Sequence, residues 1–355
     1  MKRFLLLTTI FSGILFFSAC TSVKTVVLNV QRPAEITLPK TIQSIGIVNN
    51  AIPQPSTFGH QRLKYSEKGE RELDEVTVES DSSCIWLTEA LFEELSQMNY
   101  LKNISFYEFP LREDLAFQDI RPVDSLDVKD LAQIMNVDAI LSLDRFIIGS
   151  VVHSQLMSFE AEGRFLDMKV NAVFHLYSKD GRVISPPLSF QDSIYWEGLY
   201  SGGHQISYEG IPDMKDAVRD AIDYTAETVA QALTPQWFGE YRTYYGDVKD
   251  ANKKVESDNW KEALEIWKSA YETEQKNTKK KARLAYNIAL ANEVSDDIRE
   301  ALSWAEKSVK LFNESTETSI DIKNKEDAES YYNHLMDRFR EFKVLDLQER
   351  TTDPE

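Results

Sequence analysis

Few residues of this chain are equipped for chemistry: two cysteines, Cys20 and Cys84, and five histidines, His60, His153, His175, His204 and His334. Cys84 stands at the start of the amphipathic run CIWLTEALFEELSQM. The positive end of a helix dipole there would activate a thiol as nucleophile. Its place beside Ile85 and Trp86 equally suits a small buried apolar side chain. Ser201-Gly202-Gly203-His204 puts a hydroxyl and an imidazole close together, but a nucleophile elbow needs G-x-S-x-G, and Gly198 is one place too far back. The stretch is expected to be a glycine loop. No two histidines are spaced i, i+4, so no helix offers a two-histidine metal site, and neither glycine-rich phosphate cradle occurs. Pairs such as Glu93-Glu94 and Asp296-Asp297 are expected to be solvated helix faces. The sequence therefore predicts no catalytic, cofactor-binding or metal-binding residue, and a non-enzymatic protein.

The chain has 355 residues, 42% hydrophobic and 28% charged, which suits a folded protein of two domains. Asp and Glu number 58 against 40 Lys and Arg, a formal net charge of -18. Binding to a phosphate backbone is built on clustered cations, so no nucleic-acid partner is expected.

The chain opens MKRFLLLTTIFSGILFFSAC: a basic head at Lys2-Arg3, an apolar stretch from Phe4 to Phe17, then Ser18-Ala19-Cys20. The apolar stretch is shorter than the roughly 20 residues of a membrane-spanning helix, and the arrangement is that of a secretory signal. Its end, Phe17-Ser18-Ala19-Cys20, resembles a bacterial lipobox, with Phe17 where Leu is most common. The resemblance implies a signal peptide over 1–19, thioether attachment of diacylglycerol (palmitate-type chains) to Cys20 and cleavage before it. Residues 20–40, with Pro33 and Pro39, read as a lipidated tether with a short extended segment. Surface-exported lipoproteins of some Gram-negative groups carry acidic residues after the lipidated Cys. Thr21, Ser22, Val23, Lys24 and Thr25 stand here instead, which favours the periplasmic side of the outer membrane.

Residues 41–240 read as an α/β domain. TIQSIGIVNN and ISFYEF are strand-like, and 53–80 is charged and expected to be a long exposed loop. Ile85, Leu87, Leu91, Phe92 and Leu95 mark one amphipathic helix. DVKDLAQIMNVDAILSLDRFI reads as a helix capped by Asp127, a turn at Asn136-Val137-Asp138, and a strand from Ala139 to Ile147. Alternation across Phe165 to Leu176 and a turn at Lys179-Asp180-Gly181 predict a hairpin, with SIYWEG a further strand. Ala217, Val218, Ala221, Ile222, Thr225, Val229 and Leu233 share one face of a closing helix ended by Pro235. The order predicts a sheet with helices packed on it. LAQIMNVDAILSLDRF is similar to a stretch of the curli-secretion-lipoprotein type, and the chain as a whole resembles outer-membrane lipoproteins of the Bacteroidota.

Residues 241–355 lose the strand signal. Trp260, Ala263, Leu264, Trp267, Ala270 and Tyr271 form one helical stripe; Leu284, Ala285, Ile288, Ala289 and Asn292 form another. Ala301-Leu302 repeats Ala263-Leu264 38 residues on, with Trp304 near the position of Trp267. The region resembles tetratricopeptide repeats, stretched past the usual 34 residues and lacking the closing Pro, with a final helix near 327–342 as cap. Ala285, Ala289 and Ala301 would let paired helices approach while the Trp residues fill the space opposite. The array is expected to dock on the α/β domain, with Trp237, Phe238, Tyr241, Tyr244 and Tyr245 packing at the junction. The fold class expected is thus α+β followed by an all-α repeat domain. The function expected is that of a lipoprotein held to the membrane through Cys20, with protein partners on its helical repeats. A subunit of an outer-membrane secretion complex and an envelope hydrolase are the alternatives.

Overall fold

Ser44–Asn49, the β-branched run SIGIVN, is buried along almost its whole length and forms a central strand of the sheet in the computed structural model. The structure describes residues 23–349 except 66–70, 158–160, 203, 206, 208, 209, 316 and 317. In chain order the elements are β1 (Val23–Arg32), β2 (Ser44–Asn49), β3 (His60–Tyr65), β4 (Arg71–Glu75), α1 (Ser83–Gln97), β5 (Asn103–Phe106), α2 (Ser125–Met135), β6 (Ala139–Leu156), β7 (Glu162–Ser178), β8 (Leu188–Ser201), β9 (His204–Gln205), α3 (Met214–Leu233), β10 (Gln236–Tyr245), α4 (Lys249–Glu256), α5 (Trp260–Thr273), α6 (Thr278–Val294), α7 (Ile298–Asn313) and α8 (Ser319–Gln348).

These elements divide into two units. The sheet unit runs from Gln31 to Trp237 and takes in the last described residues from Phe342. The helical unit runs from Phe238 to Glu341 and includes β1 up to Val30. The α+β sheet domain followed by an all-α region is the class expected from sequence.

β6 organises the sheet unit. Its first half pairs in parallel with β2, its second half in parallel with β3, and its other edge antiparallel with β7 along the full length. β5 adds outside β2, β4 outside β3, and β8 and β9 outside β7. Leu141, Leu143, Phe146 and Ile148 of β6 meet Leu87, Leu91 and Leu95 of α1 and Ala217, Val218, Ala221, Ile222 and Leu233 of α3 in the main core. Val128, Leu131 and Ala132 of α2 pack with Val48, Ile140 and Tyr177 in a smaller core.

Between its two parallel partners β6 exposes a stretch of backbone, and a side chain closes it. Gln54 accepts from the Ile148 N–H through Oε1 and donates through Nε2 to the Ile148 carbonyl, both at 2.8 Å. Its carboxamide stands in for a peptide group of the missing strand, since buried backbone polar groups need partners. His60 is fully buried beside it, with Nδ1 2.8 Å from Ser150 Oγ, and burial lowers its pKa.

The structure corrects several readings of the sequence. The stretch taken as tether forms β1, which pairs with β10; Val26, Leu28 and Val30 supply the alternation that buries one face. The expected loop over 53–80 contains the β3–β4 hairpin, whose charged composition suits a pairing at the sheet's margin. α2 is capped by Asp124, which accepts from the Leu126 N–H, and Asp127 lies in the first turn instead. β6 and α8 extend well past their expected bounds. The aromatic cluster separates: Tyr244 and Tyr245 are buried in the helical unit's own core, whereas Trp237 and Tyr241 are 67% and 77% exposed.

The helical unit uses one turn twice. Ser257-Asp258-Asn259 joins α4 to α5, and Ser295-Asp296-Asp297 joins α6 to α7, 38 residues later. In both turns the middle Asp takes a positive φ of 57°. In both the third residue caps the next helix, Asn259 accepting from Glu262 N–H and Asp297 from Glu300 N–H at 3.2 Å. The α4–α5 and α6–α7 pairs therefore share one turn-and-cap motif, and Asp296-Asp297 is a turn and cap rather than a solvated helix face.

Candidate functional site

The most concentrated polar chemistry in the sheet unit lies where β6 breaks its register with β7. The pairing passes from Leu143 to Arg145, so Asp144 has no partner across the ladder. Such a bulge re-aims side chains: Leu141 and Leu143 before it and Phe146 and Ile148 after it all reach the main core. Ser142 and Asp144 are left together in the fully buried interior. Asp144 Oδ1 accepts from Asn50 Nδ2 and from Ser142 Oγ, each at 2.7 Å, and Oδ2 is hydrogen-bonded to His175 Nδ1. His175 is directly opposite Ser142 on β7. Tyr177, two residues on, stacks against its ring at 6.0 Å and accepts from the Val123 N–H.

Burial raises the Asp144 carboxyl above its ordinary range, against the opposing hydrogen bonds from Asn50, Ser142 and His175. Burial and the Asp144 charge push the Tyr177 hydroxyl up to about 12. When Asp144 is ionised it only accepts, so His175 Nδ1 then carries a proton. The contacts run Ser–Asp–His. Ser142 donates to the carboxylate and not to the imidazole, an order different from that of a Ser-His-Asp triad. The geometry makes a buried clamp joining β2, β6 and β7.

Asn50 also lines an adjoining cleft of about 590 Å3, with Arg112, Asp114, Arg121 and Asp127. Its cations are already paired: Arg112 grips Asp114 through two 2.9 Å bonds, and Arg121 donates to Asp119 at 2.8 Å. Arg112, with the Ala116 N–H, holds the Asp114 carboxyl down to about 2. Across the sheet unit Asp138, the acid of the expected turn, accepts from the Gln43 N–H, Ser44 Oγ and Lys179 Nζ at 3.0–3.1 Å. Partial burial would raise its carboxyl, but these bonds together hold it below the usual range.

Cys84 and the Ser201–His204 stretch lie apart from this cluster. Burial drives the Cys84 thiol up to about 12, the reverse of nucleophile activation. Ser201 and His204 face each other across the short β8–β9 pairing, with His204 exposed. Among the described residues, no group of three or more His, Cys, Asp or Glu is placed to hold a metal ion. Cys20 lies outside the described residues. The meeting of Asp144 with His175 left no signal in the sequence, because it depends on a bulge and on register.

In the helical unit Trp260, Ala263, Trp267, Ala285, Ala289 and Ala301 are buried, and Leu264 and Trp304 are half-buried. Trp267 packs between Trp260 at 6.5 Å and Tyr244 at 6.1 Å. The 38-residue offset matches Trp267 with Ala305 and Ile266 with Trp304. Trp304 is thus one position off Trp267 and sits toward the surface, edge-on to Tyr271 at 5.0 Å. Lys307 and Lys281 lie over these two rings at 3.9 and 4.8 Å. α6 is enclosed. Asn287 exchanges two hydrogen bonds with the Tyr245 backbone, and Glu293 binds Arg242 and the Tyr331 hydroxyl. β10 and α8 thus both bond to α6.

A family model described as "Domain of unknown function (DUF8603)" matches residues 42–245, and a second, "Domain of unknown function (DUF6340)", matches residues 249–337. No curated protein matches the sequence. Among solved structures, similarity is found to a protein assigned as a neuraminyllactose-binding hemagglutinin homolog from Helicobacter pylori, at 13% identity and TM-score 0.24, over 54% of this chain and 81% of that one. Lipoprotein GNA1162 from Neisseria meningitidis matches at 12% and 0.18, over 53% and 97%. The hypothetical protein CT253 from Chlamydia trachomatis matches at 9% and 0.21, over 54% and 99%. Scores this low support no inference for this chain.

Proposed function

We propose that this chain, which belongs to the DUF8603 family, is a membrane-tethered, non-enzymatic lipoprotein of the bacterial envelope that docks a protein partner on its helical unit. The tether is Cys20, whose lipobox-like setting Phe17-Ser18-Ala19-Cys20 supports acylation there. No helix among the described residues is long and apolar enough to cross a membrane. The outer membrane, periplasmic side, is the favoured location, on the absence of acidic residues directly after Cys20.

The observation that carries the partner reading is the Tyr271–Trp304 pair on α5 and α7. Two large rings are held edge-to-face and half-covered, each topped by a lysine. Aromatic anchors of this kind dominate protein interfaces because they bury much area at low entropic cost. This pair makes the outer surface of α5 and α7 the docking face in this reading.

The test is site-specific photo-crosslinking in intact envelopes, with the photoreactive residue at position 307 beside Trp304 or at position 129 on α2. The reading expects one discrete adduct from 307, absent from 129 and lost on Trp304→Ala. No adduct at 307, or one indifferent to Trp304→Ala, overturns it.

A further inference from the structure

The outward face of the β1–β10 ribbon carries no charge. Along β1 that face shows Val23, Thr25, Val27 and Asn29, while exposed Arg32 falls on the other face by strand alternation; along β10 it shows Gly239 and Tyr241. In a chain that is 28% charged and strongly acidic, that face is an exception. Val23 is 56% exposed, Val27 53% and Tyr241 77%. Val27 and Gly239 are neighbours, for a Cβ on Gly239 would stand 3.4 Å from Val27 Cγ1. On the opposite face Leu28, Val30 and Tyr244 are in the helical core, and Arg242 is bound by Glu293.

We infer that this outward face of the ribbon rests in the lipid headgroup layer, as a second, non-covalent membrane contact. The inference rests on acylation of Cys20. Three peptide steps separate Cys20 from Val23, so the ribbon begins at most about 11 Å along the chain from the acylated residue. A lipid-anchored sulfur sits at the membrane surface, and so short a connection keeps Val23 within the interfacial layer. The residues suit it: Tyr prefers the headgroup level, with its ring in the apolar part and its hydroxyl in water. The occupant is the bilayer surface, met by apolar contact. Lys24, on the other side of β1 from Val23 and Val27, is engaged by Glu256 at 2.6 Å, and Arg32 stands at the far end of the strand, so the contact is met by apolar and aromatic side chains rather than by a cationic patch.

The experiment uses the full lipidated chain in phosphatidylcholine vesicles, with a polarity-sensitive fluorophore on Val27→Cys, Tyr241→Cys or, as a control on the α5 surface, Glu265→Cys. Cys84 is buried and does not compete for label. Mass analysis of the same samples reports whether Cys20 is acylated. The inference expects several-fold stronger quenching by doxyl-labelled lipid at 27 and 241 than at 265, unchanged by salt. Labels at 27 and 241 that iodide reaches as freely as 265, on acylated protein, overturn the ribbon contact and leave the anchor standing. Labels hidden from iodide yet unquenched by doxyl lipid mean a protein covers the face, and also overturn it. An unmodified Cys20 overturns the anchor and this inference together.

Discussion

Asp144 and His175 are hydrogen-bonded to each other inside the sheet unit, one from a bulge in β6 and the other from the facing strand β7. Both ring and carboxylate are nearly sealed from solvent, and Asn50 and Ser142 occupy the second carboxylate oxygen. A buried charge is tolerated only when its bonds are made, so this pair fastens three strands together and cannot be altered on one side without cost.

Asp144→Ala leaves three donors without their acceptor and is expected to destabilise the sheet unit by about 3 kcal/mol. Asp144→Asn keeps the shape and part of the bonding, and is expected to lose less. Urea unfolding followed by circular dichroism measures both; equal losses contradict the clamp.

In the helical unit Arg242 is held by Glu293 and Glu240, with the Tyr331 hydroxyl completing Glu293. Those carboxylates raise the Arg242 pKa despite its burial. Glu293→Ala strands a buried guanidinium, with an expected loss of about 3–5 kcal/mol. Arg242→Met combined with Glu293→Leu is expected to recover much of it. A double-mutant cycle showing additive losses rules out the coupling.

Replacing Gln54 removes the carboxamide that completes the β6 ladder. Gln54→Ala is expected to cost about 1–3 kcal/mol through the unpaired Ile148 backbone groups. Native-state hydrogen exchange checks it: the Ile148 amide, protected in the wild type, should exchange faster by the corresponding factor. Unchanged protection means that another group fills the gap.

Asp138 gives the expected pH dependence. Its folded-state pKa is depressed, so its contribution is complete above the ordinary aspartate value of 3.8 and is lost as pH falls through the lower folded value. The stability gap between wild type and Asp138→Asn should therefore be constant near neutral pH and close in acid. A gap absent at neutral pH contradicts this.

How much of this was legible from sequence depends on the range of the interactions involved. α1 and α3 carry their amphipathic pattern within one helix, so Leu87, Leu91, Ala217 and Ile222 could be placed without knowing their partners. The 38-residue repeat was visible in Ala263-Leu264 and Ala301-Leu302, and its turns confirm the spacing. β1 was not legible as part of a ribbon, because its partner β10 is some 200 residues away and its Val–Thr alternation passes for linker. β3 and β4 were hidden by charge, since a marginal hairpin wets both faces. The Asp144–His175 contact needs the bulge between Leu143 and Arg145, which no local pattern announces. Trp304 stands one position off Trp267 in the 38-residue offset and packs half-buried at the margin of the helical core, a distinction that stripe spacing alone does not make.

The most direct test of the account is the mass of the N-terminal peptide of the protein purified from membranes. The account predicts a peptide that begins at Cys20 and carries diacylglycerol on its sulfur. A peptide with Cys20 internal, or present as a free thiol, contradicts the tether on which the proposed function is built.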